Sequence, residues 1–259
     1  MIIQFHYRES TNVKAQQLLL AVFTAILVGC GSVNQPIQVD DGSVIEENLR
    51  SVNGAIQVGS DCHIQGSISN VNGSIEVGSG SRTGAISNTN GSIALKERVE
   101  SESIKTVNGS LSIGADSVVS GSASAVNGRV RLDQNVRIGG DLSTVNGSLA
   151  VASNGYIDGR VSTVNGTISL DNARAGGVET ASGSINVLNG SHIEGELRVR
   201  ASNQREREAP RIVIGANSRV DGPLIFEREV QLLIHDSAEV GEIEGASPEF
   251  FSGDQAPGR

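Results

Sequence analysis

Residues 144–149 read Thr-Val-Asn-Gly-Ser-Leu, and closely similar stretches recur through most of the chain. One position of this repeat is an Asn-Gly dipeptide, and successive asparagines stand 18 or 19 residues apart. These asparagines are Asn53, Asn72, Asn90, Asn108, Asn127, Asn146 and Asn165. Ser182-Gly183 continues the series after a shorter step of 17 residues. A fixed period of this length indicates a repeat architecture in which each unit stacks on its neighbours.

A second glycine series keeps the same register. Its members are Gly66, Gly84, Gly121, Gly140, Gly159, Gly177 and Gly195, with Gly222 and Gly241 further on. The step from Gly195 to Gly222 is 27 residues, which is one period of 19 plus eight. The surplus coincides with the polar stretch 203–211, which we interpret as a loop inserted in one coil. Its charged residues Arg205, Glu206, Arg207 and Glu208 are the best candidates for a specific contact.

Apolar residues alternate within each period, as in Leu149 and Val151 around Ala150. This two-residue spacing is typical of β-strands, and short strands of this kind bury an apolar face only by stacking. The sequence therefore predicts an all-β protein, a single-stack parallel β-solenoid of about eleven coils over residues 44–245, in which repeated aliphatic columns fill a thin core. At about 4.8 Å per coil the rod would be roughly 50 Å long. A thin core also explains why aromatic residues make up only 3% of the chain.

The Asn-Gly dipeptides predict a corner of the solenoid. Asn and Gly both tolerate positive φ, and stacked asparagines can pass amide hydrogen bonds from coil to coil. The residue before each Asn is most often Val, as at Val145, and its orientation allows two interpretations. Strict alternation would expose the valines as an apolar stripe, whereas a bend at Thr144 would turn them into the core. We favour the core, because large exposed apolar patches are rare.

The first thirty residues have the features of an export signal. Basic residues precede a run over 18–28 that is apolar except for Thr24 and too short to cross a bilayer, and Gly29-Cys30 follows. Residues 27–30 resemble the lipobox of bacterial lipoproteins. That resemblance implies cleavage of residues 1–29, lipidation of Cys30 and a tether over 30–43, with several acyl chains anchoring the protein stably in a membrane. Residues 246–259 are expected to form a flexible tail, in which Phe250 and Phe251 cap the last coil.

The repeats also resemble two bacterial families. The Thr-Val-Asn-Gly-Ser-Leu/Ile repeats at 144–149 and 163–168 are similar to those of adhesin-like β-strand-repeat proteins of the envelope. The coils at 214–222 and 238–241 look like those of bactofilins, which are polymer-forming β-helices. Both resemblances imply a parallel β-solenoid, right-handed, with no catalytic residue and no cofactor.

The net charge and the positions of His and Cys residues limit the classes of ligand that the protein is expected to bind. The net charge is −9, which argues against nucleic acid as a ligand. His63, His192 and His235 lie near different coils, so no metal site is expected, and Cys62 is expected to be a buried, inert thiol. We expect a non-catalytic lipoprotein of the cell envelope, in the outer membrane if the cell is Gram-negative. It would act as an adhesin-like module or scaffold whose partner is a glycan, an envelope protein or the chain itself.

Two alternatives stay open. One is a polymer-forming scaffold of the bactofilin kind. The other is a glycan lyase or hydrolase that uses acidic and basic residues on the outside of the rod. The residues for that chemistry would be Arg129, Arg131, Asp133, Arg137, Asp141, Asp158, Arg160, Asp171 and Arg174.

Overall fold

The computed structural model describes residues 34–202, 209–253 and 255–258. Within these ranges the chain forms β-strands and no helix. Strands of one coil pair in parallel with the equivalent strands of the next coil. The result is a β-solenoid of about eleven turns of roughly 19 residues each, which confirms the predicted fold class.

Each coil contributes to three faces, which we number in chain order. The first face consists of Ile37–Val39, Ile56–Val58, Ile75–Val77, Ile93–Leu95, Leu111–Ile113, Val130–Leu132, Leu149–Val151, Ile168–Asp171, Ile185–Leu188, Arg211–Ile214, Gln231–His235 and Pro248–Phe251. The second face consists of Val44–Ile45, His63–Ile64, Arg82–Thr83, Glu100–Ser101, Val118–Val119, Arg137–Ile138, His192–Ile193, Arg219–Val220 and Glu239–Val240. The third face consists of Leu49–Asn53, Ile68–Asn72, Ile86–Asn90, Ile104–Asn108, Ala123–Asn127, Leu142–Asn146, Leu197–Val199, Leu224–Phe226 and Ile243–Glu244. Tyr156–Asn165 and Arg174–Thr180 are continuous strands that run through the second and third faces.

The core lies between the three faces and consists of columns of equivalent aliphatic side chains. Leu149 is buried, and it pairs in register with Val130 of the preceding coil and Ile168 of the following coil. Because the side chains of a strand alternate between its two sides, each three-residue strand of the first face sends two aliphatic side chains inward and one side chain outward. The interior is narrow, so Ile, Leu and Val fill it without aromatic residues over most of the rod.

The turn between the first and second faces carries the left-handed residues. Asp61, Asp116, Asn135 and Asn154 all have φ between 55° and 60°. Asn and Asp populate this region more readily than other residues with a side chain. The asparagines of the Asn-Gly corners lie instead at the ends of extended strands, so the expectation of positive φ was wrong for them. It is confirmed for the glycine of several corners, with φ of 134–147° at Gly54, Gly73, Gly91 and Gly166. The left-handed turn between the first and second faces was not predicted from the sequence.

The second glycine series lies at the bend between the second and third faces. A Cβ on Gly222 would lie 2.5 Å from the carbonyl oxygen of Gly195, which sits directly below it in the preceding coil. Glycine is therefore required there by the close approach of two backbones. Coils of 18 and 19 residues differ in length at this bend. The step from the end of the second-face strand to the start of the third-face strand is four residues from Ile64 to Ile68, but three residues from Thr83 to Ile86.

The strands on either side of residues 203–208 keep the register of the solenoid. Val199 pairs with Phe226 of the next coil, and Ile212 pairs with Ile185 of the previous coil. The intervening segment replaces an Asn-Gly corner between the third and first faces. The predicted contact residues Arg205, Glu206, Arg207 and Glu208 lie outside the described residues.

The C-terminal segment is part of the rod. Pro248–Phe251, which we expected to be flexible, forms the last strand of the first face. Phe250 pairs with Ile234, in the register of an inward column, and is 63% exposed at the end of the stack. Phe251 points outward and joins Val213 and Leu233 in a small apolar cluster, which we call the tail cluster. Phe251 also meets the His235 ring edge-on at 5.2 Å.

Candidate interaction surface

The valines before the Asn-Gly corners face solvent. Val52, Val71, Val145 and Val164 are 41%, 41%, 39% and 43% exposed. Val107 and Val126 are half-buried at the same position. Our preference for a core column was therefore wrong: the third-face strand runs straight to Asn146, and the chain turns only at Gly147. Alternation then points Leu142 and Thr144 inward and Val145 outward.

An inward polar column makes this straight path possible. The hydroxyls of Thr144 and Thr163 donate to the carbonyl oxygens of Gly128 and Gly147 in the preceding coils, each at 3.3 Å. Asn88 occupies the same column and donates to the carbonyl of Gly73 at 2.8 Å. These hydrogen bonds satisfy the hydroxyl and Nδ2 donors, which would be costly to bury unpaired, whereas the Asn88 Oδ1 is buried with no hydrogen-bond partner among the described residues. The sequence signal for these hydrogen bonds is a Thr, Ser or Asn two residues before the corner asparagine, with Ala125 as the exception before Asn127. This signal was overlooked.

The corner asparagines form a continuous ladder along one edge of the third face. Each Nδ2 donates to the Oδ1 of the asparagine one coil earlier, at 2.8–2.9 Å. The members are Asn34, Asn53, Asn72, Asn90, Asn108, Asn127, Asn146 and Asn165. Asn34 begins the ladder, although it lies in the stretch predicted to be tether.

Replacing Asn127 with alanine should lower the free energy of unfolding by about 1–2 kcal/mol, because it removes two ladder hydrogen bonds of about 1 kcal/mol each. Asn127 donates to Asn108 and accepts from Asn146. Urea denaturation would measure the change. Gln57→Ala, on the exposed side of the first face, is the control and should change the stability little. Equal midpoints for the two variants would contradict a stabilising ladder.

Three parallel columns make the third face flat and nearly free of charge from Leu49 to Asn165. Beside the valines and asparagines runs an outward column of serines, Ser69, Ser87, Ser124, Ser143 and Ser162. Arg50 and Lys105 are the charged members of that column in these coils. The chain as a whole carries 49 charged residues, so this face is unusually neutral. We call it the neutral face.

The neutral face ends at a network of ion pairs. Arg160 bridges Glu179 at 2.7 Å and Glu196 at 3.1 Å in the two following coils. Arg198 continues the network from Glu196 at 3.1 Å to Glu227 at 2.7 Å. Hydrogen bonding to Arg198 holds the pKa of Glu196 below its ordinary value.

This network also fixes the base of the inserted segment. Glu227 accepts a hydrogen bond from the backbone N–H of Ala201 at 3.1 Å, and this bond together with Arg198 lowers the pKa of the Glu227 carboxyl. Arg200 pairs with Glu179 at 2.8 Å. The chain on the N-terminal side of the insertion is therefore held to the coils below and above it.

Acid should weaken these coils. Because the pKa values of Glu196 and Glu227 are lowered in the folded state, their contribution is present above their unfolded pKa of about 4.3 and is lost as pH falls through the folded pKa. The melting temperature should therefore drop between neutral pH and about pH 3. Glu196→Gln should show a smaller drop, while Glu249→Gln, an exposed carboxyl on the last strand, should behave as the parent. If the melting temperatures of all three proteins fell equally with pH, Glu196 would not be a source of the acid sensitivity.

The residues considered for glycan chemistry fall in separate places. Arg131 pairs with Asp133 at 3.0 Å at the end of a first-face strand. Asp141, Asp158 and Arg160 line a shallow groove of about 570 Å³ at the bend between the second and third faces, together with Glu196 and several glycines. The Arg137 guanidinium lies 4.6 Å from the Tyr156 ring centre, and a hydrogen bond to Asp158 raises the pKa of Tyr156. Asp158 thus lies in the groove, and Asp133 is not among the residues that line it.

The remaining candidates have local partners. His192 lies 2.7 Å from Asp221, which is also paired with Arg219, and Arg219 and His192 together lower the pKa of the Asp221 carboxyl. In the described ranges no group of three or more His, Cys, Asp or Glu side chains is placed to hold a metal ion. Cys62 is buried as expected, and burial raises the pKa of its thiol.

Comparison with known proteins adds no relative. A scan against protein-family models, a search of curated proteins and a search of solved structures each found no match to this chain. The part of the chain that the structure describes contains no helix long and apolar enough to span a membrane. Cys30 and the apolar run before it lie outside the described residues.

Proposed function

We propose that this protein is a non-catalytic, lipid-anchored rod of the bacterial cell envelope that acts as an adhesin-like or scaffolding module. Its working surface is the neutral face, and its anchor is Cys30. The anchor rests on the lipobox resemblance of residues 27–30. A membrane-tethered rod of this kind would present one long, uniform surface to a glycan or to another envelope protein.

The observation that supports this proposal is the exposed valine stripe within the neutral face. Six valines and Thr89, one in each of seven coils spaced at about 4.8 Å, give the stripe a length of roughly 30 Å. Apolar patches exposed in a regular array are typical of surfaces that meet a partner. The flanking serines and asparagines add hydroxyl and amide groups at the same spacing, so the face offers a repeated pattern of apolar and uncharged polar contacts.

Surface variants of matched exposure test the proposal. Val118 on the second face is as exposed as Val145, 39% in each case. We expect Val145→Lys, combined with Val71→Lys and Val164→Lys, to reduce sedimentation of the unlipidated rod with purified envelope fragments, because lysines break the neutral stripe. Val118→Lys should bind like the parent. Equal binding of the parent, the triple variant and the control would contradict a role for this face.

The anchor is tested separately in the full-length protein. Cys30→Ser should move the protein from the membrane fraction to the soluble fraction and leave the melting temperature of the rod unchanged. Retention of the variant in the membrane fraction would refute the lipoprotein proposal without affecting the proposal for the neutral face.

Self-assembly is a second candidate function, and the exposure of Phe250 on the outermost strand of the first face favours it. Phe250 is 63% exposed there, in the register of a core column, and unpaired strand edges can accept another chain. Electron microscopy of the unlipidated protein separates the candidates. Isolated rods support the adhesin-like module, whereas filaments that lengthen with concentration support a polymer.

A further inference from the structure

The chain contains nine Asn-Gly dipeptides, the seven of the corner series together with Asn154-Gly155 and Asn189-Gly190. Such a dipeptide is prone to deamidation, because glycine has no side chain to hinder its own backbone nitrogen. That nitrogen attacks the asparagine Cγ, loses its proton and expels the side-chain nitrogen as ammonia. Water then opens the resulting succinimide to aspartate or isoaspartate. The reaction needs no oxidant and no enzyme.

The fold opposes this reaction by occupying the attacking nitrogen. In the corner series, the N–H groups of Gly54, Gly73, Gly91, Gly109, Gly128 and Gly147 each donate to the carbonyl of the next corner asparagine at 2.8–3.1 Å. The N–H groups of Gly155 and Gly190 donate to Ala152 and Ala216 at 3.1 and 3.0 Å. In eight of the nine dipeptides, therefore, a hydrogen bond must break before the nitrogen can attack.

The ladder restrains the other reacting group. In a corner such as Asn127, the side-chain amide donates to the preceding asparagine and accepts from the following one. Rotation of Cγ toward the next backbone nitrogen then breaks two further hydrogen bonds. In corners inside the ladder, hydrogen bonds therefore restrain both the attacking glycine nitrogen and the asparagine side-chain amide.

Asn165-Gly166 lacks the first form of protection and keeps only half of the second. The next corner has Ser182 in place of an asparagine, and the Ser182 hydroxyl pairs with Ser202 at 3.2 Å. The next coil is also shorter, and the N–H of Gly183 turns back to Thr180 Oγ1 at 2.9 Å. Among the described residues, Gly166 N–H donates no hydrogen bond, and the Asn165 side chain keeps only its bond to Asn146, at 2.8 Å.

We propose that Asn165 is the site of spontaneous deamidation in the folded protein. Attack by the Gly166 nitrogen converts Asn165 to aspartate or isoaspartate and adds one negative charge at the end of the ladder. The product carboxylate has no N–H to donate to Asn146, so the last rung loses its hydrogen bond. The modification therefore alters the neutral face where it meets the ion-pair network.

Peptide mapping of the folded full-length chain tests this proposal. Trypsin cleaves after Arg160 and Arg174, so Asn165 is the one Asn-Gly asparagine in the peptide 161–174. After ageing in mildly alkaline buffer, Asn165 should be modified about thirtyfold faster than Asn146, the factor expected when two hydrogen bonds, one at the glycine nitrogen and one at the asparagine Oδ1, need not be broken. Ageing in urea should abolish the difference, because unfolding removes the protection of every rung.

Two variants sharpen the test. Asn165→Gln should abolish the mass change in peptide 161–174. Ser182→Asn should slow the reaction at Asn165, because it supplies an amide at the empty rung. Equal rates at all nine asparagines of the folded chain would overturn the proposal. It would also fall if Asn165 stayed intact in the folded protein over a period in which the urea-treated protein reacts.

Discussion

Replacement of Gly147 by valine should destabilise the solenoid by about 3 kcal/mol or more, the upper range for overpacking a closely packed site. A Cβ at this position would lie inside van der Waals contact of the carbonyl oxygen of Gly128, one coil below. That oxygen belongs to the backbone of an equivalent corner, so it cannot move aside without displacing its own strand. The two strands flanking Gly147 would have to separate from the preceding coil.

Urea denaturation of the unlipidated rod would measure this effect. Gly258→Val is the control, since no atom lies within 4 Å of a Cβ at that position, and it should keep the parental midpoint. If both valine variants unfolded at the same urea concentration, close stacking of the corners would not be a source of stability.

Phe251→Ala should cost about 3 kcal/mol, the lower end of the range for deletion of a buried aromatic side chain. Phe251 is 8% exposed, and its loss would uncover Val213 and Leu233 in the tail cluster. Because coils contact only their neighbours, the effect should be concentrated in the C-terminal coils. Hydrogen exchange should show faster exchange in 211–251 with little change in 56–151.

Phe250→Ala provides the matched comparison for the tail cluster. Phe250 stands next in sequence but is 63% exposed, so its truncation should cost well under half as much. If the two variants lost the same stability, the C-terminal strand would not be held through Phe251.

The periodic part of the fold was predictable because the repeat carries two signals at once. The alternation of Leu149, Ala150 and Val151 identifies the side of the strand that is buried. The recurrence of Asn146 and Gly147 at 18–19 residues identifies the stacking partner. Together they predict parallel pairing and register, which the structure confirms in the pairing of Leu149 with Val130 and Ile168.

The valine stripe was not predictable by the same route. Valine is usually a core residue, so the general preference of apolar side chains for burial led to the prediction of a core column. Strict alternation along the strand would have placed Val145 outside. Its exposure depends on Thr144, whose inward hydroxyl finds an acceptor only in the carbonyl of Gly128 in another coil. A hydrogen bond between coils cannot be read from the residues of one coil.

Two further features depended on contacts that sequence spacing does not show. The left-handed turn at Asn135 and Asn154 was overlooked because its residues vary among Asp, Asn, Arg and Gly. The tail cluster was overlooked because outward Val213 and Leu233 resemble ordinary strand residues until the last strand covers them.

The connection between the third and first faces is longer at residues 200–210 than in the other coils, so the solenoid tolerates extra chain length at this corner. The strands before and after it, Leu197–Val199 and Arg211–Ile214, pair as regularly as those of uninterrupted coils. Duplication or loss of sequence at this corner would therefore leave the rest of the rod in phase. The same property would make it a display position, where a foreign peptide could be carried on the side of a rigid rod without rebuilding its core.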